Sequence, residues 1–422
     1  MNAIPALHTG IDVGLNRLSV LLTDESCTHE FARLTLPNDA GGAVAVVNEI
    51  CRSLQQRSLD HVRIGMEATG VYAWHLAVFL TGSQALKPYA PEVYVLQPRA
   101  VKHYRKSFGS KLPKTDDVDR WLIAEMLGHP QLRPRPFHLD ERWLPLQRLT
   151  RHRYHLVREL TRNKNYAASY LFLKASGLAQ SCPLSDPFGA AAAGILMDFQ
   201  SVEDIAAAPL EELVRCLDQH AKGHLPDPVA IATAYRQAAR DSYRLPGTLK
   251  EPIHQILSLT LEDIRYLQRQ VKTVERLIER EPLARNNRLR SIPGIGPALS
   301  AGILAEIGDI RNFPDDDQLA QFAGLTWPGH QSADFQAEET PLARTGNVYL
   351  RYYLIEAANS VRRHDAQFAA FYRKKFVEVP KHQHHRALVL TARKLLRLVF
   401  ALLRDDRAYD PGHVSVPRNV AR

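Results

Sequence analysis

Short apolar runs alternate with amphipathic segments along residues 9–128 of the chain. The runs TGIDVG and RLSVLLTD, with a Gly-Leu-Asn turn between them, predict a hairpin of two strands. Further strands are predicted at FARLTLP, VRIGMEATG and EVYVLQP, and helices at AVAVVNEICRSLQQ, GVYAWHLAVFLTG and AVKHYRKSF. An antiparallel start followed by strand–helix units predicts an α/β domain with a mixed sheet, which we assign to residues 1–130.

From about residue 137 the pattern is helical, and no run predicts a strand. Positions from Leu149 to Tyr170 follow a seven-residue repeat with polar interruptions, and the repeat returns from Leu257 to Ile278. Within residues 137–284 these segments predict two long coiled-coil helices, paired with each other or with another subunit; burial in one globular core is the alternative. Residues 180–248 predict a helical insertion between them. The polar face of the first long helix is expected to carry Arg148, Arg151, Arg158, Arg162 and Lys164.

Residues 285–404 predict a third, mostly α-helical domain, followed by a loose polar tail over residues 405–422. This domain opens with RSIPGIGPALSAGILAEIGDI, in which Gly294 and Gly296 allow a tight turn before a helix. The free N–H groups at such a helix start can meet a phosphate. The segment resembles the helix-hairpin-helix motif, which binds nucleic-acid backbones; ordinary helix packing is the alternative.

Composition narrows the class of protein. A chain of 422 residues with 45% hydrophobic and 23% charged residues is typical of a globular protein of two or three domains. Its net charge of +9 favours a polyanionic partner such as nucleic acid. Four scattered cysteines argue against a disulfide framework or a zinc ribbon. No apolar run approaches the roughly 20 residues of a membrane span, and the N-terminus lacks a signal-peptide pattern, so a cytoplasmic protein without a membrane partner is expected.

Four carboxylates form the first candidate site. Asp12 lies in the first strand, Glu67 ends the strand RIGMEATG, and Asp116 and Asp119 are three apart, so they share one face of a predicted helix. Any one of them alone is more simply a capping residue. Together they can converge on one edge of a mixed sheet, where one or two Mg²⁺ (or Mn²⁺) ions would neutralise them. Asp117 is expected to point away, as a solvated or capping residue.

Basic and aromatic residues interleave just upstream, in LQPRAVKHYRKSFGSKLPK. This run suits the approach of a negatively charged polymer, although a solvated helix face is the alternative. Its basic residues are Arg99, Lys102, Arg105, Lys106, Lys111 and Lys114.

A loop serine forms the second candidate site. Ser332 lies in a segment rich in glycine, proline and polar residues, and Arg344 and Arg351 follow it. A serine beside arginines could attack a phosphodiester while the arginines stabilise the developing charge. From spacing alone, an ordinary loop serine is the simpler interpretation.

Taken together, these motifs resemble the DEDD-type insertion-sequence transposases, described as bridge-RNA-guided recombinases. GIDVG, MEATGVY, LQPRAVKHYRKSFG and KTDDVDRWLIAEML resemble the family's RuvC-like (RNase H-like) nuclease domain. IPGIGPALSAGILAEIGD, LAQFAGL, the HQS loop, GNVYLRYYLIEAAN and ALVLTARKLLRLVFALL resemble its transposase domain. The resemblance implies that Asp12, Glu67, Asp116 and Asp119 bind Mg²⁺. It also implies that Ser332 is a nucleophile that forms a phosphoserine bond to DNA.

The same resemblance implies partners. These are donor and target DNA, a non-coding bridge RNA, and further copies of the chain in a dimer or tetramer, with the serine domain of one subunit meeting the acidic domain of another. Ala333 and Asp334 follow Ser332 where the family often has glycine, and Arg120-Trp121 follows Asp119 where a small residue is common. Two other functions stay open: a metal-dependent junction-resolving nuclease in which Ser332 is passive, and a non-catalytic nucleic-acid-binding protein.

Overall fold

The computed structural model describes residues 5–68, 70–109, 112–113, 115–129, 132, 136–327, 331–332, 335–336, 342–343 and 345–412. The chain divides into two compact units, residues 1–140 and residues 141–422.

The N-terminal unit contains a five-stranded sheet with the order β3-β2-β1-β4-β5. Its strands are β1 (Leu7–Val13), β2 (Arg17–Thr23), β3 (Glu30–Pro37), β4 (Val62–Glu67) and β5 (Glu92–Leu96). The first three strands pair antiparallel, whereas β4 runs parallel to both β1 and β5. The predicted α/β class with a mixed sheet is therefore confirmed, down to the opening hairpin.

Helices cover both faces of this sheet. They are α1 (Ala40–Arg57), α2 (Tyr72–Gly82), α3 (Pro98–Ser107) and α4 (Asp116–Gly128). Side chains alternate along a strand, so one face of β1 and β4 presents Ile11, Ile64 and Met66 to α1 and α2. On the other face, Leu96 of β5 packs with Ile123 of α4. The unit thus has three layers, with the sheet in the middle.

The C-terminal unit is mostly helical. Its long helices are α5 (Leu144–Lys174) and α11 (Gly247–Arg280). Between them lie α6 (Ser176–Gln180), α7 (Ala190–Asp198), α8 (Val202–Ala207), α9 (Leu210–Ala221) and α10 (Pro228–Arg240). After them come α12 (Pro282–Arg285), α13 (Pro297–Ile307), α14 (Asp316–Ala323), α15 (Val348–His364), α16 (Ala366–Val377) and α17 (Gln383–Arg404).

The two long helices pack against each other along their lengths. Leu171 near the end of α5 lies in one core with Leu257 near the start of α11, and Leu146 lies in another core with Ile278. The helices are therefore antiparallel partners within one chain. Both predicted helices exist, and a coiled-coil seam between them stays a prediction.

The sequence missed a second buried face on α5. Leu156, within the predicted seven-residue repeat, is half-buried, whereas Thr150 and Tyr154 on a neighbouring stripe are buried. The Tyr353 hydroxyl donates to the Thr150 carbonyl at 2.6 Å, so this stripe faces α15. Arg151, predicted to lie on the polar face, is 30% exposed and pairs with the buried Glu306, because α5 has helices on two sides.

The segment between the long helices forms a core of its own with the ends of α5 and α11. The Lys174 amine, which is buried, donates to the carbonyls of Leu196 and Phe199 at 2.7 and 2.6 Å. A cation there satisfies the open carbonyls at the C-terminal end of α7. The predicted insertion is helical, as its composition indicated.

Two short strands contradict the expectation of no strand after residue 137. These are β6 (Gln331–Ser332) and β7 (Phe335–Gln336), which pair antiparallel with Ser332 opposite Phe335. Two residues per strand are too few to produce an alternating pattern in the sequence. None of the described helices is long and apolar enough to cross a membrane.

Candidate active site

Asp12 and Glu67 occupy neighbouring positions on adjacent parallel strands. Ile11 of β1 pairs with Met66 of β4, so the next position on each strand holds an acid. Both acids are half-buried and lie at the carboxyl ends of their strands. In an α/β sheet this edge is where ligands commonly bind.

Helix α4 lies against the sheet face that carries these acids. Asp12 shares its face of β1 with Gly10 and His8, because residues two apart point the same way. A Cβ atom at Gly10 would lie 2.0 Å from the Arg120 carbonyl oxygen, so the helix backbone touches the strand there. Further along, a Cβ atom at Gly128 would lie 3.0 Å from the His8 ring.

These contacts fix the direction of α4. Its last residue lies beside the beginning of β1, so its first turn lies toward the end of β1 where Asp12 is found. On β4, Gly65 shares its face with Glu67, and a Cβ atom at Gly65 would lie 2.9 Å from Ile123 Cγ2. One helix therefore covers both acid-bearing strands.

The first turn of α4 supplies the remaining acids. Thr115 caps the helix by accepting from the Val118 N–H at 3.3 Å. Asp116 is exposed, whereas the Asp119 side chain is only 15% exposed. The structure thus brings Asp12, Glu67 and the acidic turn of α4 to one end of the sheet.

A cation already neutralises part of this cluster. The Arg105 guanidinium from α3 pairs with the Asp119 carboxylate, and both side chains are largely buried. Carboxylates at a half-buried edge are stabilised by positive charge, and Arg105 supplies it to Asp119. Carboxylate oxygens are the hard donors that Mg²⁺ or Mn²⁺ prefers. Among the described residues, however, no three of these acids have ligand atoms within 4.8 Å of one another.

Asp117 points away from the cluster, but it is not merely solvated. Its carboxylate pairs with the buried Arg120 guanidinium and lies 3.4 Å from Arg33 Nη1. Arg120 is thus paired with Asp117 in the first turn of α4.

The other basic residues predicted to contact nucleic acid lie on the surface of α3. Arg99, Lys102 and Lys106 are all exposed. Between them, the Tyr104 ring packs edge-on against Phe108 at 5.3 Å. Lys111 and Lys114 lie outside the described residues.

The glycine turn before α13 is packed on one side and open on the other. Gly294 has φ +90°, and a Cβ atom there would lie 3.0 Å from His364 Nδ1 at the end of α15. Gly296 is the N-cap residue just before α13; it is exposed, and a Cβ atom there would meet no other atom within 4 Å. A short helix and a 3₁₀ turn at Arg288–Ser291 precede it, and the helix-hairpin-helix assignment stays a prediction.

Ser332 is described only by its backbone, in β6, and Arg344 lies outside the described residues. Arg351 is anchored to the backbone, because its Nη1 donates to the Thr345 carbonyl at 2.9 Å. It therefore holds the chain where it enters α15.

Sequence reasoning missed a buried ionic network around Glu306 of α13. Arg151 donates to both carboxylate oxygens, at 2.7 and 2.8 Å, and Asn347 Nδ2 donates at 2.7 Å. Burial disfavours the charge on Arg151, but the Glu306 hydrogen bonds outweigh it and raise the arginine pKa. Asn347 also caps α15. A lone glutamate inside the apolar run LSAGILAEIG was the only available signal.

The chain thus combines an α/β unit that carries acids at one edge of its sheet with a mostly helical unit. Residues 9–173 match the DEDD transposase family of IS110, and residues 286–373 match the Transposase IS116/IS110/IS902 family. The chain belongs to this transposase family.

Several curated proteins are similar to parts of this chain. A probable family 20 transposase of Pseudomonas aeruginosa is 29% identical over 40% of this chain, which spans half of that relative. An uncharacterized protein of insertion element IS116 from Streptomyces clavuligerus is 26% identical over 71% of this chain and 73% of its own length. A pilin gene-inverting protein of Moraxella bovis is 30% identical over 30% of this chain and 39% of its own length.

Proposed function

We propose that this protein is a DNA transposase or recombinase that cuts and rejoins DNA strands. The observation that supports the proposal is the position of Asp12 and Glu67 at neighbouring sites on adjacent strands, with the first turn of α4, which carries Asp119, over the same end of the sheet. Membership of the transposase family supports it, as do the relatives named for transposition and gene inversion.

Asp12, Glu67, Asp116 and Asp119 would hold Mg²⁺ or Mn²⁺. When bound, the cation supplies Lewis-acid polarisation of a scissile phosphate. Arg105, which pairs with Asp119, would compete with the metal for that carboxylate, because each positive charge weakens the attraction of the acid for the other.

Ser332 would supply the nucleophile. Its hydroxyl loses a proton as the oxygen attacks phosphorus, the bond from phosphorus to the neighbouring deoxyribose oxygen breaks, and that oxygen takes up a proton as a free hydroxyl. The hydroxyl of another strand then attacks the phosphoserine, which rejoins DNA and returns the serine. Arg344 and Arg351 would stabilise the charge that develops.

The remaining assignments extend this proposal. The N-terminal residues 1–130 would be RuvC-like, residues 137–284 a coiled-coil region, residues 285–404 the transposase domain, and residues 405–422 a tail. Exposed Arg99, Lys102 and Lys106, with the turn at Gly294 and Gly296, would contact donor and target DNA. A bridge RNA would select sites in the cytoplasm, and a homo-oligomer would unite the two domains across subunits.

Matched variants of the full-length protein test the chemistry. With Mg²⁺, RNA from the element and its terminal DNA, Asp119→Asn is expected to abolish recombination. The neighbouring Asp117→Asn should retain it, because Asp117 faces Arg33 and Arg120. Ser332→Ala should abolish recombination together with any covalent protein–DNA adduct. Normal recombination by either Asp119→Asn or Ser332→Ala would refute the mechanism.

One observation favours a second candidate, a junction-resolving nuclease. All four acids belong to the N-terminal unit, so strand hydrolysis there requires no residue of the C-terminal unit. In that case Ser332→Ala would cut branched DNA at the normal rate, without a protein–DNA adduct in either the variant or the parent.

A further inference from the structure

The helical insertion between the long helices brings together three side chains of different ligand chemistry. They are the Asp198 carboxylate, the Cys216 thiol and the His220 imidazole. One ligand atom from each lies within 4.8 Å of the other two. Neither the acidic site nor the serine loop involves these residues.

The scaffold of this cluster is rigid. Cys216 and His220 are four apart on α9, so they lie on one side of the helix, one turn apart. Asp198 is the last residue of α7, which packs against α9. Leu196 of α7 and Leu217 of α9 are buried in the same core, which holds the two helices in place.

The distances suit a single small ion. Asp198 Oδ2 lies 2.8 Å from His220 Nε2 and 3.3 Å from Cys216 Sγ. Ligand atoms around a tetrahedral zinc ion are separated by about 3.3 to 3.7 Å. The Asp198–His220 separation would have to widen by about half an ångström to reach this range, and the Cys216 and His220 ligand atoms lie within 4.8 Å of each other.

A glycine fixes the His220 ring. A Cβ atom at Gly194 would lie 2.1 Å from Cδ2 and 2.2 Å from Cγ of that ring, so the imidazole rests directly on the backbone of α7. Any side chain there would push the ring away. This close approach directs Nε2 toward Asp198, with little freedom left to the ring.

We propose that Asp198, Cys216 and His220 bind a Zn²⁺ ion that ties α7 to α9, with a water molecule as the fourth ligand. A thiolate, an imidazole and a carboxylate are ligands that zinc takes, whereas Mg²⁺ prefers oxygen alone. The site is thus chemically distinct from the acidic cluster. Asp198 and His220 are partly exposed, which leaves a path for the ion.

Metal binding exchanges a proton for the ion. The thiol of Cys216 loses its proton to solvent as the sulfur binds, and the metal takes its place. Without metal, burial and the hydrogen bond to Asp198 raise the pKa of Cys216 to about 12.

The same geometry argues against a cysteine nucleophile. A catalytic thiol needs a base that takes its proton, and it works with a lowered pKa. Here the Cys216 thiol donates to Asp198 Oδ2, and His220 Nε2 also contacts Asp198 Oδ2. The raised thiol pKa is the opposite of what such a role requires.

Cobalt provides a direct test, because Co²⁺ bound to a thiolate absorbs in the near ultraviolet and Co²⁺ on carboxylates does not. Full-length protein, stripped with a chelator, is titrated with Co²⁺ and then with Zn²⁺. The thiolate band should reach its maximum at one equivalent of bound Co²⁺ and disappear as Zn²⁺ displaces it. No thiolate band in the unaltered protein would overturn the proposal.

Matched variants locate the site. Cys216→Ser should abolish the band, and His220→Gln should weaken cobalt binding at least ten-fold. Cys182→Ser, a second half-buried cysteine of the insertion, and Asp12→Asn in the acidic cluster should both keep the band. Zn²⁺ should raise the melting temperature of the unaltered protein but not of Cys216→Ser. A band that survives in Cys216→Ser, or equal zinc stabilisation of both proteins, would refute the assignment.

Discussion

The contact between Gly10 and α4 offers the sharpest test of how this fold builds its acidic site. Gly10→Ala adds one methyl group to β1, two residues before Asp12. That methyl carbon would lie 2.0 Å from the Arg120 carbonyl oxygen and 2.8 Å from the Ala124 nitrogen. Both neighbours are helix backbone, so no side-chain rotation can relieve the clash.

The helix must therefore move by at least about 1 Å to restore an ordinary contact. Overpacking of this kind costs about 1–3 kcal/mol, which a domain of this size can survive. Asp119 moves with the helix, whereas Asp12 stays on the strand. A misplacement of about 1 Å in a catalytic group can cost about a hundred-fold in rate.

We therefore expect Gly10→Ala to fold, to melt several degrees lower, and to lose about a hundred-fold in Mg²⁺-dependent DNA cleavage. Circular dichroism reports the fold, and Mn²⁺ titration reports the metal site directly. Gly14→Ala is the control, because its Cβ atom would meet only the Arg17 carbonyl, at 3.3 Å. Wild-type Mn²⁺ affinity and cleavage in Gly10→Ala would refute the placement of α4 on β1.

Three further outcomes follow from the geometry. Burial, together with the charge of Arg63, lowers the pKa of His8 to about 4, so the unfolded chain binds a proton at a higher pH than the folded protein does. As pH falls from 6.5 to 4, the free energy of unfolding should therefore drop by about 3 kcal/mol. Urea titrations should show this loss in the parent protein and not in His8→Leu. Arg151→Leu leaves Glu306 buried without its main partner and should cost about 3–5 kcal/mol in denaturant unfolding, much of it recovered when Glu306→Leu is added. Arg105→Gln removes the cation paired with Asp119 and should tighten Mn²⁺ binding about five-fold; unchanged or weaker binding would contradict competition for that carboxylate.

Local pattern was sufficient for much of the N-terminal unit. The five strands and four helices follow the alternation and helical periodicity of the sequence, and Asp12 and Glu67 stand at strand ends that could be read directly. The register between the strands could not be predicted in this way. Nothing local indicates that Ile11 faces Met66, yet this pairing makes the two acids neighbours.

In the C-terminal unit, the sequence pattern predicts the long helices but not the contacts between them and their neighbours. The seven-residue repeat correctly predicted α5 and α11, because apolar periodicity survives in any long packed helix. It did not reveal the second buried face of α5, since that face depends on which helices happen to lie beside it. The sequence therefore placed Arg151 on a polar face but did not indicate its partner, a glutamate 155 residues away.

By itself the sequence determined the order of strands and helices, the basic character of the chain and the identity of the acids, because these depend on side-chain chemistry and short-range spacing. Only the tertiary structure decided which distant groups meet: Arg105 with Asp119, Arg151 with Glu306, and Asp198 with Cys216 and His220. Such meetings depend on helix packing and strand register. Those in turn are set by the shapes of buried side chains and by glycines such as Gly10 and Gly194, whose neighbours leave no room for a Cβ atom.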